Sequence, residues 1–129
     1  MNVLLDTHTL LWLVSTPSDV DASALAVLAD PNTNLWVTAA SAWEIAIKTR
    51  MGRLSGETLL SVWTDIIADM NTAELPIESS DAILAGRLPW DHKDPFDRVI
   101  VAQALRRNLT IATRDTKILE AAITPTLQA

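Results

Sequence analysis

Val3-Leu4-Leu5-Asp6-Thr7-His8 near the start of the chain and Leu109-Thr110-Ile111-Ala112-Thr113-Arg114-Asp115 near its end share one pattern. In each, a short apolar run is followed by a carboxylate. Such runs read as strands buried on both faces, as in a parallel sheet. Two further acids, Glu44 and Asp97, each lie in the first turn of an expected helix. In a parallel α/β sheet the crossover helices run opposite to the strands. Strand ends and helix starts therefore share one edge, the edge where ligands bind. Four carboxylates gathered there repel one another, and a hard divalent cation is the simplest counter-charge.

Working outward, strand-like and helix-like segments alternate. Residues 2–6, 35–38, 73–77 and 109–113 read as strands. Helices are expected over 8–15, 21–30, 40–51, 57–70, 80–88, 96–107 and 115–121, with 89–95 as a loop. The clearest is 57–70, where Leu59, Trp63, Ile66, Ile67 and Met70 fall at helical spacing. Alternation of this kind predicts an α/β fold in three layers, α/β/α, with a central parallel sheet of four to five strands. The tail after Ile123 is short, so a fifth strand is marginal. Nothing suggests a linker, a repeat or a second domain, and residues 1–129 read as one domain.

Composition narrows the function. The chain is 49% apolar, with a mean hydropathy of +0.20. No apolar run approaches the ~20 residues needed to span a bilayer, so no membrane role is expected. The first residues lack the basic start of a signal peptide. The absence of cysteine excludes disulfides and thiolate metal sites and is consistent with a reducing cytoplasm. A net charge of −6 argues against diffuse electrostatic binding of nucleic acid. That argument weakens if the acids are concentrated in a metal site, where two divalent cations would offset four of the charges. The apolar excess suggests a buried partner surface.

Each acid also has a purely structural reading. Asp6 and Asp115 suit helix N-caps. Ser41-Ala42-Trp43-Glu44 matches a capping box, and Glu44 with Lys48 makes an i,i+4 pair. Asp94 fits an N-cap with Pro95 near the first helical position, and Asp97 favours the helix dipole. His8 and His92 invite a general-base role, although packing at a core rim or a helix entry accounts for both. Among the basic residues, Arg98 beside Asp97 and Arg114 beside Asp115 are the better placed for RNA phosphates. Of the five tryptophans, Trp90 in its Pro-flanked loop is expected to be the exposed one, and Trp43 and Trp63 core or interface.

Four segments occur in order: Val3-Leu4-Leu5-Asp6-Thr7-His8, Ser41-Ala42-Trp43-Glu44-Ile45-Ala46-Ile47-Lys48, His92-Lys93-Asp94-Pro95-Phe96-Asp97-Arg98 and Ala112-Thr113-Arg114-Asp115. Together they resemble the PIN-domain ribonucleases, specifically the VapC-type toxins of bacterial toxin–antitoxin pairs, over nearly the whole chain. The stretch from Asp94 through Val101-Ala102-Gln103-Ala104 is the most specific part. The resemblance implies a Mg²⁺- or Mn²⁺-dependent endoribonuclease neutralised by a cognate antitoxin. It implies self-association into a homodimer and a toxin–antitoxin hetero-oligomer. Its acidic positions fall on Asp6, Glu44, Asp97 and Asp115. Mg²⁺ held by a few carboxylates activates water and stabilises phosphoryl charge, so no protein nucleophile is needed. Asp6 is then the central ligand, Asp97 and Asp115 complete the cluster, and Glu44 binds a second ion or orients the water. Thr7 and Thr113 are placed to hydrogen-bond ligand carboxylates.

Two other functions compete. One is a catalytically silent PIN-like module that only binds a partner, which the intact set of acids disfavours. The other is a haloacid-dehalogenase-like phosphotransferase, whose nucleophilic acid is followed two positions on by a second acid. His8 occupies that position here and counts against it.

Overall fold

Val3, Leu4 and Leu5 are fully inaccessible to solvent, as befits the middle strand of a sheet covered on both sides. The structure, a computed structural model describing residues 1–129, begins with β1 (Asn2–Leu5), α1 (Thr7–Ser15), a 3-10 turn (Pro17–Asp19) and α2 (Ala22–Ala29). β2 (Asn34–Thr38), α3 (Ala39–Arg50), α4 (Glu57–Ser61), α5 (Trp63–Asp69) and β3 (Thr72–Leu75) follow. The second half runs through α6 (Ser79–Arg87), α7 (Pro95–Arg107), β4 (Thr110–Thr113), α8 (Thr116–Ala121) and β5 (Thr126–Gln128). All strand pairs are parallel, in the order β3-β2-β1-β4-β5.

Alternating side chains divide the core into two layers. Val3, Leu5, Val37 and Ala112 join Leu10, Ala24, Leu28, Ile45, Leu59 and Ile67 on one face, beneath α1 to α5. Leu4 and Ile111 join Ala85, Ile100, Val101, Ala104 and Ile118 on the other, beneath α6 to α8. The change of face follows from topology. The chain first moves outward from β1 to β3, then returns to β4 on the far side of β1. Right-handed crossovers moving in opposite directions must lie on opposite faces. Between β1 and β4 the direction reverses, which opens a crevice at the strands' C-terminal ends.

The sheet has five strands, within the four to five expected, and three other expectations need correcting. A fifth strand does form: Ile111, Ala112 and Thr113 pair with Thr126, Leu127 and Gln128. The short tail was no obstacle, because a strand added to an existing edge needs only a few bonds. The helix expected over 57–70 is two helices, broken at Val62, whose extended φ of −124° departs from helical geometry. The expected helix at 40–51 begins earlier, with Thr38 as its cap accepting a bond from the Ala40 N–H. Glu44 therefore sits in the second turn and makes no capping box. Among the tryptophans, Trp43 is 55% exposed, whereas Trp90 is half-buried against the second core layer. No helix is long and apolar enough to cross a membrane.

Candidate metal centre at the strand ends

Asp6 is the first residue beyond β1 and Thr113 ends β4. The register pairs Leu5 with Ala112, so these two residues stand side by side. Asp6 caps α1, accepting the Thr9 N–H on Oδ1 at 2.8 Å. Its Oδ2 accepts the Thr113 hydroxyl at 2.5 Å. Only 5% of Asp6 is exposed. That burial raises its carboxyl above the usual range, against the opposing bonds from Thr113 and Thr9.

Thr113 also reaches the second acid, because its Oγ1 accepts the Asp115 N–H at 2.9 Å. Asp115 caps α8 with Oδ1, accepting from Lys117 N at 2.8 Å and Ile118 N at 3.2 Å. Its other oxygen is left for a ligand. Capping uses only one oxygen of Asp115, whereas both oxygens of Asp6 already accept a hydrogen bond and would offer a ligand only their remaining lone pairs.

Asp97 stands in the first turn of α7, behind the Asp94 cap and Pro95. Asp94 Oδ1 accepts from Phe96 N at 2.9 Å and Asp97 N at 3.2 Å. Burial raises the Asp97 carboxyl to about 6; Asp94 and Asp115 add repulsion, while His92 pulls the other way. His92 Nε2 lies 2.7 Å from Asp97 Oδ2. This contact was not expected from sequence, which favoured a packing role for His92; an irregular loop sets the approach, and no periodicity encodes it. The donor atoms of His92, Asp94 and Asp97 all lie within 4.8 Å of one another.

Glu44 is buried on α3, 4% exposed. The Thr7 hydroxyl donates to its Oε1 at 2.6 Å and sits 2.9 Å from Ser41 Oγ. Lys48 Nζ lies 2.5 Å from Oε2. Two threonines hold the acids: Thr7, the residue after Asp6, donates to Glu44, and Thr113 links the Asp6 carboxylate to the Asp115 N–H. A cleft of about 240 Å³ opens over Asp6 and Asp115, walled by His8, Trp12 and Arg114.

The two arginines expected at RNA phosphates have other partners. Arg98 donates to four main-chain carbonyls. Arg114 stacks 4.3 Å over the Trp12 ring and donates to the carbonyls of Asp19 and Ala129. A buried acid that sequence reasoning overlooked is Asp81, fully inaccessible on α6. Burial alone would raise its carboxyl. Bonds from Arg107, the Glu78 N–H, Arg106 and Gln103 instead hold it well below the usual range. Its partners lie far along the sequence, which hid it.

The PIN domain family model matches residues 3–123. The chain belongs to the PIN domain family. No curated protein matches the sequence significantly. Among solved structures, this PIN domain is similar to VapBC2 from Rickettsia felis bound to a fragment of promoter DNA. That similarity has a TM-score of 0.72 and 15% identity over 98% of both chains. VapBC-1 from nontypeable Haemophilus influenzae has a TM-score of 0.70 and 18% identity over 99% of this chain and 98% of that one. FitAcB from Neisseria gonorrhoeae has a TM-score of 0.61 and 18% identity over 98% and 96%. At these identities the likeness shows the fold. The PIN fold expected from the four ordered segments is borne out.

The donor set suits a hard cation. Asp6, Asp97, Asp115 and Glu44 offer only carboxylate oxygens, the donors that Mg²⁺ and Mn²⁺ select. Burial raises the carboxyls of both Asp6 and Asp97, so a cation among them would favour their charged forms.

Proposed function

We propose that the chain is a VapC-type toxin, a Mg²⁺- or Mn²⁺-dependent endoribonuclease held in check by a cognate antitoxin. The observation that carries this reading is Thr113 bridging Asp6 and Asp115, with Asp97 close enough to Asp115 to feel its charge. Membership of the PIN family and the fold shared with VapBC and FitAB proteins support it.

In this reading Asp6, Asp97 and Asp115 hold the metal. Bound there, the ion supplies Lewis acidity at the phosphoryl group and an activated water. The chain's own residues prepare the ground. The Thr113 and Thr7 hydroxyls fix the Asp6 and Glu44 carboxylates in orientation. Glu44, near neutralised by Lys48, orients water or contributes to a second ion. RNA cleavage that needs Mn²⁺ or Mg²⁺ and disappears in a folded Asp6→Asn protein would support this reading. Cleavage surviving that substitution would overturn it. A catalytically silent binding module would show no metal-dependent cleavage in the wild type.

For the antitoxin we propose a groove between α1 and α3. Trp12, half-buried on α1, and Trp43, exposed on α3 and edge-on to Phe96 at 5.0 Å, supply apolar anchors. Trp12→Ala should weaken antitoxin binding by more than ~1 kcal/mol, the scale of a hot-spot aromatic. Calorimetry on the folded variant measures it, and an unchanged affinity would misplace the groove. Self-association into a homodimer, and of that dimer with antitoxin in the cytoplasm, completes the proposal. Exposed Ile83 and Leu105 on the packed pair α6 and α7 support it.

A further inference from the structure

Arg98 has an unusual set of partners. Its Nε donates to the Ala85 carbonyl at 2.8 Å and its Nη2 to Leu88 at 2.9 Å. Its Nη1 donates to Trp90 at 2.7 Å and to His92 at 3.0 Å. Ala85 lies in the last turn of α6, where carbonyls lack helical partners. The other three carbonyls belong to the segment that leads from α6 into α7. Within residues 88–93 the loop's own backbone supplies a single bond, from Trp90 N to Leu88 O at 2.8 Å. One guanidinium thus takes up the carbonyls of Leu88, Trp90 and His92, half of those in residues 88–93.

That segment ends on the site. His92 rests its ring 4.9 Å from Trp90 and sets Nε2 2.7 Å from Asp97 Oδ2. Asp97 is the residue before Arg98, so the same turn of α7 carries both the carboxylate and the group that gathers the loop around it. We infer that Arg98 is a positioning residue: by holding the Ala85–His92 carbonyls, its guanidinium fixes the loop from which His92 orients the Asp97 carboxylate. A lysine cannot replace it. A planar fork reaches several acceptors in fixed directions, whereas an ammonium is a point charge on a flexible stem. The occupied fork also leaves Arg98 poorly suited to RNA phosphates.

The experiment compares the wild type with Arg98→Lys. The chain has two histidines, so ring resonances can be followed with His8 as an internal control. In the folded variant the His92 ring signals should move toward free-histidine positions while those of His8 stay. Unmoved His92 signals overturn the inference. The kinetic arm rests on the nuclease reading and uses a mixed-sequence, fluorophore-quencher RNA oligonucleotide with Mn²⁺. There kcat should fall at least ~10-fold, the effect of losing a group that orients a metal ligand, with KM unchanged. A raised KM with a salt slope reduced by about 1 is the signature of a lost phosphate contact and overturns the inference. If the wild type cleaves no RNA, the nuclease reading fails while the His92 signals still decide the positioning role. If Arg98→Lys does not fold, His92→Gln carries the test: it leaves the guanidinium's carbonyl contacts in place. It must lower kcat without raising KM, and a full kcat sinks the proposal.

Discussion

Thr113 donates its hydroxyl hydrogen to Asp6 Oδ2 at 2.5 Å, across a pair of neighbouring strands and 107 positions away in sequence. The Thr113 Oγ1 in turn accepts the Asp115 N–H. A methyl in its place would leave a buried carboxylate oxygen and a main-chain donor unpaired. Thr113→Val should therefore cost about 1–3 kcal/mol of stability and reduce Mn²⁺ affinity by roughly 10–100-fold. Thermal denaturation and calorimetric metal titration measure the two effects. Wild-type metal affinity in the folded variant would remove Thr113 from the site.

The raised carboxyl of Asp97 makes a signed prediction about acidity. Its native value is about 6 against 3.8 ordinarily. Between those values the native protein holds more protons than the unfolded chain, so metal-free stability must fall as pH rises through that window. The loss nears completion about one unit above that value and is on the order of 3 kcal/mol. Asp6, also raised, acts in the same direction. Urea denaturation at pH 4.5, 5.5 and 6.5 in EDTA should show the decline, flattened in Asp97→Asn. A metal-free protein that gains stability across the window would contradict the assigned environment.

Divalent metal should reverse that penalty. A ligand at 100 times its Kd stabilises by about 2.7 kcal/mol, so millimolar Mn²⁺ or Mg²⁺ should raise Tm measurably at pH 7. Asp97→Asn should blunt the rise. An unchanged melting curve would count heavily against the metal centre.

Glu44 separates two roles. Glu44→Gln can keep the Thr7 bond through its amide oxygen but leaves Lys48 without its 2.5 Å partner. Glu44 is buried and Lys48 partly exposed, so breaking the pair should cost about 1–3 kcal/mol. The variant should fold normally yet lose most cleavage if the carboxylate handles metal or water. Retained activity would reduce Glu44 to a helix-packing residue.

Asp81 tests stability away from the site. Asp81→Asn removes the charge that Arg106 and Arg107 share on a fully buried carboxylate. A fully buried pair costs about 3–5 kcal/mol to break. Here the guanidinium groups are partly solvated, so about 2–3 kcal/mol is expected. Chemical denaturation measures it, and metal affinity should stay unchanged.

Much of this was legible before any coordinates. Runs such as Val3-Leu4-Leu5 and Ile111-Ala112 announce buried parallel strands because both faces are apolar, and the acids beyond them, Asp6 and Asp115, do stand at the C-terminal ends of β1 and β4. Asp94-Pro95 announced the start of α7 through cap and ring chemistry. What stayed hidden depended on tertiary approach. Nothing in Thr126-Leu127-Gln128 is strand-like apart from the β4 edge it meets. Val62 is an ordinary residue at which a continuous apolar periodicity conceals a break. The S-x-x-E pattern at Ser41 misled because Thr38 is an equally good cap three residues earlier. The His92 contact with Asp97 and the carbonyls around Arg98 arise from a loop whose path no periodicity records.

The pairing of Leu5 with Ala112 has a consequence for how such a chain can vary. Neighbouring side chains on a strand point to opposite faces, so sliding β4 by one residue would turn Thr113 away from Asp6 and carry Ile111 into the wrong core layer. An added or deleted residue within β1 or β4 would thus part Asp6 from Thr113 and disrupt the packing in one step. Changes of length are better borne by exposed connections such as residues 30–33, which lie outside the paired strands. The chemistry of the site is thereby locked to the spacing of two strands that are almost the whole chain apart.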